Sequence, residues 1–149
     1  MKNVYDWDKN ILEIKDKYKN HYYLELRGGK NQIKGDSGTG KTHLFNLIEK
    51  VKKDIKKQSQ YNADNILTIN ELNRDKIGKC QNKLILIDKA ELLLTEKQID
   101  YINGDTDNRY LIFSRVPIGI EISPNHQADL VTEDGVTKLR YRYNVKGWC

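Results

Sequence analysis

Eight consecutive residues, Gly35-Asp36-Ser37-Gly38-Thr39-Gly40-Lys41-Thr42, fit the pattern G-x-x-x-x-G-K-[ST] at every fixed position. The pattern restricts the chain around it to a strand, a tight loop and a helix in that order. The glycines let successive backbone N–H groups turn inward on an anion, where residues with a Cβ would resist the φ values and the close approach. Lys41 is placed to reach the β/γ-phosphates of a nucleoside triphosphate and Thr42 to offer its hydroxyl to Mg²⁺. A helix beginning there aims the positive end of its dipole at the same anion. The flanks agree. Residues 21–27 read as a strand, Gly28-Gly29 as a turn, and 31–34 as a short strand entering the loop. Downstream, Leu44, Ile48, Val51 and Ile55 recur at helical spacing, with Glu49, Lys50, Lys52, Lys53, Lys56 and Lys57 on the remaining surface.

Farther on, Leu84-Ile85-Leu86-Ile87-Asp88 is an apolar run ending in an acid, the pattern of a strand buried on both faces. With the loop, this makes the chain resemble the P-loop NTPases of the additional-strand, AAA+-like class. Gly40-Lys41-Thr42-His43-Leu44 is similar to the loop of helicase loaders and replication initiators, which adds His43 to the expected nucleotide contacts at Gly35 through Thr42. The resemblance spans roughly 31–115. It implies an α/β fold, a mainly parallel sheet with flanking helices, to which the sequence adds a C-terminal antiparallel β-hairpin. It makes Asp88 the acid that holds Mg²⁺ through water beside Thr42. A third strand at 110–114 ends in Ser114-Arg115, and the resemblance implies that one of the two senses the γ-phosphate; a strand end also needs a polar residue for solubility. The water-polarising Glu that usually follows the acid is replaced by Lys89, which leaves Glu91 as the nearby substitute. An arginine finger is expected from Arg109, Arg115 or a neighbouring subunit. The helical lid of full AAA+ ATPases has no counterpart.

At 149 residues the chain suits a single domain. Its expected parts are an amphipathic helix over 1–20, carried by Val4, Trp7, Ile11, Ile14 and Tyr18, a nucleotide-binding core over 21–115, and a β-rich extension over 116–149. Within the core, 66–69 reads as a strand, 70–79 as a polar helix or turn, and 91–103 as a helix. Thr95 and Gln98 have capping-box spacing and allow that helix to break. In the extension, 118–122 and 130–143 read as strands, with Asp134-Gly135 in a hairpin turn.

Composition narrows the setting. Hydrophobic residues make up 38% and charged residues 32%, and neither a bilayer-length apolar stretch nor a signal-peptide core is present, so a cytoplasmic protein without membrane contact is expected. Cys80 and Cys149 are read as reduced thiols, and His21, His43 and His126 lack ligand spacing, so Mg²⁺ is the only metal implied. The formal charge is +5, with 26 basic against 21 acidic residues. Lys50 to Lys57 give one basic helix face, and Lys138, Arg140, Arg142 and Lys146 alternate with Leu139, Tyr141, Tyr143 and Val145, a pattern that fits nucleic acid or an edge strand guarded by charge. Because Lys52-Lys53-Asp54 follows Val51 inside a helix and Lys34-Gly35-Asp36 follows Ile33, no Lys-x-Asp carries the Asn or Thr of the guanine motif, and ATP is the expected nucleotide. The expected function is a weak ATPase or ATP-dependent switch acting on a protein partner, a second copy or nucleic acid. A non-hydrolysing interaction or inhibitor protein and a small-molecule kinase are the alternatives.

Overall fold

The computed structural model describes residues 1–34, 40–54, 56 and 59–143. Gly35, Asp36, Ser37, Gly38 and Thr39 of the loop motif lie outside the described residues, as do Ile55, Lys57, Val145, Lys146 and Cys149.

Short strands open the chain: β1 (Lys2–Asn3), β2 (Tyr5–Asp6), β3 (Ile11–Lys15), β4 (His21–Glu25) and β5 (Lys30–Ile33). Helix α1 (Lys41–Lys52) leads to β6 (Tyr61–Asn62) and β7 (Ile66–Ile69). Then come β8 (Leu84–Ile87), α2 (Ala90–Leu93), α3 (Glu96–Gly104) and β9 (Arg109–Phe113), and the chain closes with β10 (Gln127–Glu133) and β11 (Val136–Tyr141). One sheet holds nine strands in the order β2-β3-β4-β11-β10-β5-β9-β8-β7. β10, β5, β9, β8 and β7 run parallel to one another, whereas β2, β3 and β4 form an antiparallel meander and β10 and β11 an antiparallel hairpin.

The two edges of this sheet are drawn together. β1 pairs with β6, so the residues just before β2 and just before β7 share a ladder. Asn65 donates its side-chain amide to the Tyr5 carbonyl at 2.9 Å, and Arg109 reaches Tyr5 Oη at 2.8 Å while stacking 3.8 Å from the Trp7 ring. The result is a nearly closed, barrel-like wall of mixed strands with three short helices. This corrects the α/β expectation of a mainly parallel sheet flanked by helices, and with it the AAA+-like P-loop NTPase fold that the resemblance implied. The connection from β7 to β8 contains only a 3-10 turn, and the one from β9 to β10 is irregular except for another.

Two apolar clusters fill the molecule. Leu44 and Ile48 of α1 are fully buried among Leu12, Ile14 and Leu24 of the meander and Leu84, Leu86, Leu111 and Phe113 of the parallel strands. On the opposite face, Ile85, Ile87, Tyr110 and Ile112 meet Ala90 and Leu93 of α2 and Ile102 of α3. β8 and β9 are therefore apolar on both sides, as strands covered on both faces must be.

The amphipathic helix expected over 1–20 is instead β1, β2 and β3. Leu12 and Ile14 alternate with half-exposed neighbours at the strand period, and Asn10 turns the chain at φ 57°, so apolar spacings of three and four arose from pieces too short for periodicity to discriminate. The strand expected over 118–122 is also absent: Pro117 lacks an N–H and Gly119 sits at φ 85°, so Ile118, Ile120 and Ile122 pack on the second cluster as irregular chain. The 91–103 helix breaks into α2 and α3, and Thr95 and Gln98 form a reciprocal capping box. Asp134 and Gly135, at φ 52° and 79°, make the tight turn between β10 and β11.

Candidate functional site

The strand β5 sends its chain across to β7, while its neighbour β9 sends its chain the other way to β10. Connections that part in this manner leave a crevice at the C-terminal ends of the parallel strands. A cavity of about 350 Å³ lies there, lined by Lys41, Thr42, Asp88, Lys89, Glu91, Leu92, Phe113, Ser114 and Arg115. Residues from the start of α1, the end of β8 and the end of β9 thus share one opening.

Lys41 is only 6% exposed although it starts a helix, and its Nζ lies 4.0 Å from Asp88 Oδ1. Asp88 follows β8 directly. Lys89 then adopts a left-handed conformation at φ 52° and ψ 48°, turning the chain at once into α2. For a residue with a Cβ this costs about 1 kcal/mol or more, and it returns Glu91 to the same opening. Among the described residues, the buried Asp88 Oδ1 and Glu91 Oε2 have no hydrogen-bond partner. A buried acceptor left in this state costs about 1–3 kcal/mol, and both oxygens belong to residues that line the cavity.

These donors fit Mg²⁺ in one particular way. Among the described residues no three His, Cys, Asp or Glu side chains form a metal cluster. Two carboxylates and the Thr42 hydroxyl do not complete an octahedral shell by themselves, which is the situation of an ion that also takes phosphate oxygens and water.

Gly40, the last residue before α1, stands at φ 93°, and a Cβ there would lie 3.3 Å from Tyr22 Oη. Tyr22 uses that hydroxyl to donate to the Gly40 carbonyl at 2.9 Å. Behind it, His43 Nε2 lies 2.9 Å from Asp16 Oδ2, and Asn20 donates to the same oxygen at 2.6 Å. The turn between β3 and β4 therefore braces the first turn of α1. His43 belongs to this brace and does not line the cavity. Tyr22, Asp16 and Asn20 escaped the sequence reading because no spacing links them to the loop.

Of the remaining candidates, Ser114 is 1% exposed and donates its hydroxyl to the Val116 carbonyl at 2.6 Å, so its side chain is already engaged in the fold. Arg115 is exposed beside the cavity. Arg109 lies at the other end of β9, bonded to Tyr5 and to the Trp7 carbonyl at 2.5 Å, which removes it from the arginine-finger candidates for this opening. The basic face of α1 is partly internal: Lys52 donates to the carbonyls of Ala63 and Ile66, and burial pushes its pKa down. β11 lies between β4 and β10 and is no edge strand. Its Lys138 and Arg140 are exposed, while Arg142, just past it, pairs with Asp129 at 2.8 Å, which dilutes the cationic row.

Among the described residues, no helix is long and apolar enough to cross a membrane. No family model, curated protein or solved structure matches the chain, so the likeness to AAA+ ATPases ends at a loop motif and an acid-tipped strand.

Proposed function

We propose that the opening at the C-terminal ends of β5, β8 and β9 binds Mg-ATP, and that the protein is an ATP-dependent switch or slow ATPase acting on a partner. The observation that carries this reading is the pairing of a nearly buried lysine from a G-x-x-x-x-G-K-T motif with two orphaned carboxylate oxygens around one cavity. Lys41 meets the β/γ-phosphates; Thr42 and Asp88 hold Mg²⁺ together with water. The ion neutralises phosphate charge, and the chain's own groups orient the triphosphate. Adenine is preferred because the guanine motif is missing. A cytoplasmic setting, where ATP is plentiful and thiols stay reduced, suits this activity.

Turnover is slow in this reading, at or below roughly 1 per second. Lys89, a cation, cannot polarise the attacking water, and Glu91, which like Asp88 keeps a buried oxygen without a hydrogen bond beside the cavity, is the acid left for that role. Glu91→Gln then removes what hydrolysis exists. A second reading, a nucleotide-binding adaptor that does not hydrolyse, is favoured by the engaged Ser114 hydroxyl. ATP turnover measured with and without DNA, RNA or candidate proteins separates the two.

Calorimetry with Mg-ATP tests binding. Lys41→Ala should weaken affinity at least tenfold, since a charged hydrogen bond is worth about 1.5–3 kcal/mol. Equal affinity in the variant, or none in the native protein, rejects the site.

A further inference from the structure

A second cavity, of about 120 Å³, opens on the other side of β5 and is lined by Gln32, Lys34, Gln127 and the 117–122 segment. Gln32 and Gln127 are register partners on the parallel strands β5 and β10, so their side chains leave the same face of the sheet. Gln32 also pairs in register with Ile112 of β9, a member of the second apolar cluster. Gln32 is only 6% exposed, yet neither its carboxamide nor that of Gln127 has a hydrogen-bond partner among the described residues. Both residues line the cavity, so these carboxamides meet whatever fills it, solvent or a ligand. About 10–15 Å³ holds one water, so this space takes something larger.

The walls say what kind of molecule fits. Ile118, Ile120 and Ile122 are apolar, partly buried and packed on the second cluster, giving an aliphatic slot suited to a flat ring. Each carboxamide offers two donors and an acceptor, the complement of a purine edge; glutamine pairs with adenine N6 and N7 in this bidentate way. Polar side chains facing an apolar wall are a usual build of a small-molecule site. The two cavities are also joined by the chain. Lys34 lines the smaller one and directly precedes Gly35 of the loop motif, while Ser114 and Arg115 line the larger one and lead straight into Pro117.

We propose that the smaller cavity receives the adenine base of the nucleotide, held edge-on by Gln32 and Gln127 against the isoleucines of 117–122. This rests on the Mg-ATP reading for the phosphates, and two probes separate them: adenosine, which has the base alone, and tripolyphosphate, which has the phosphates alone. Side-chain amide resonances of Gln32 and Gln127 are followed by NMR in the full chain, assigned with Gln32→Leu and Gln127→Leu. Adenosine should shift both signals. Gln32→Leu should weaken ATP binding at least fivefold and leave tripolyphosphate affinity within twofold, with Gln127→Leu as the parallel variant if the first does not fold. Undisturbed glutamine signals in adenosine, or native ATP affinity in a folded variant, overturns the base pocket even where tripolyphosphate binds. Shifted glutamine signals with no tripolyphosphate binding keep the base pocket and reject the phosphate site instead.

Discussion

Asp16, in the turn between β3 and β4, and Asp88, at the end of β8, are both carboxylates beside the start of α1, and the fold treats them in opposite ways. Asp16 Oδ1 accepts the backbone N–H groups of Tyr18 and Asn20, both at 2.8 Å, and Oδ2 accepts the Asn20 side chain at 2.6 Å with His43 at 2.9 Å. Burial pushes the Asp16 carboxyl up, but the hydrogen bonds from Asn20, His43 and Tyr18 outweigh it and hold the group well below the usual carboxylate range. Asp88 has one buried oxygen with no hydrogen bond and a lysine 4.0 Å away. A carboxylate that serves the fold is saturated by it; one left with a dry, unbonded oxygen in a cavity is spending stability on something else. The antiparallel end of the sheet thus braces α1, and the parallel end carries the proposed site, with α1 as the element they share.

Removing that shared element should cost most. Ile48→Ala takes a fully buried side chain from between the two ends and should destabilise by about 2–5 kcal/mol in denaturant unfolding. A loss below about 1 kcal/mol contradicts the enclosure of α1. Next, Asp16→Ala should cost about 1–3 kcal/mol because it strands several donors at once, while Asp88→Asn should change stability by less than about 1 kcal/mol and abolish Mg²⁺-dependent nucleotide binding. Equal losses from the two substitutions erase the distinction between brace and site.

The same contrast has a pH signature. Folded Asp16 holds its proton less tightly than in the unfolded chain, so its contribution is fully present above the unfolded value of about 3.9 and is lost as pH falls through the depressed folded value. Stability should fall on acidification below about pH 4, and Asp16→Asn should flatten that slope. An unchanged slope means other carboxylates, such as Glu13 or Asp105, both also held low against the effect of their burial by hydrogen bonds from neighbouring side chains, carry the dependence. The smallest effect belongs to Lys89→Gly, which relieves a left-handed backbone at φ 52° and should stabilise by up to about 1 kcal/mol. Destabilisation there shows that the Lys89 side chain supports the turn.

Which parts were legible in the sequence follows from the length of each signal. Leu84 to Ile87 and Tyr110 to Phe113 are unbroken apolar runs, and they appear as β8 and β9; Asp134-Gly135 and the Thr95/Gln98 box are chemically explicit and stand where their residues specify. The opening twenty residues suggest a helix but form strands, because two-residue and five-residue strands cannot declare a period. Their turns also lack glycine: Asn10 and Lys19 take φ 57° and 72° without the usual residue to announce it. The barrel-like closure was invisible for another reason, since it depends on contacts such as Arg109 to Tyr5, 104 residues apart. At the site, Lys41, Thr42, Asp88 and Glu91 could be named from the motif, the apolar run and their spacing. Tyr22, Asp16, Gln32 and Gln127 could not, because what distinguishes them is which partners they have or lack.

The central claim, that the parallel end binds Mg-ATP while the antiparallel end is only its brace, is tested most directly by an amide NMR titration of the native protein with Mg-ATP, repeated with EDTA in place of Mg²⁺. Resonances of Lys41, Thr42, Asp88 to Leu92 and Phe113 to Arg115 should shift together along one saturable isotherm, with those of β2 and the first residues of β3 unchanged, and EDTA should weaken the binding. Shifts spread over the lysines of the surface without saturation, or none at the 88–92 and 113–115 segments, would contradict it.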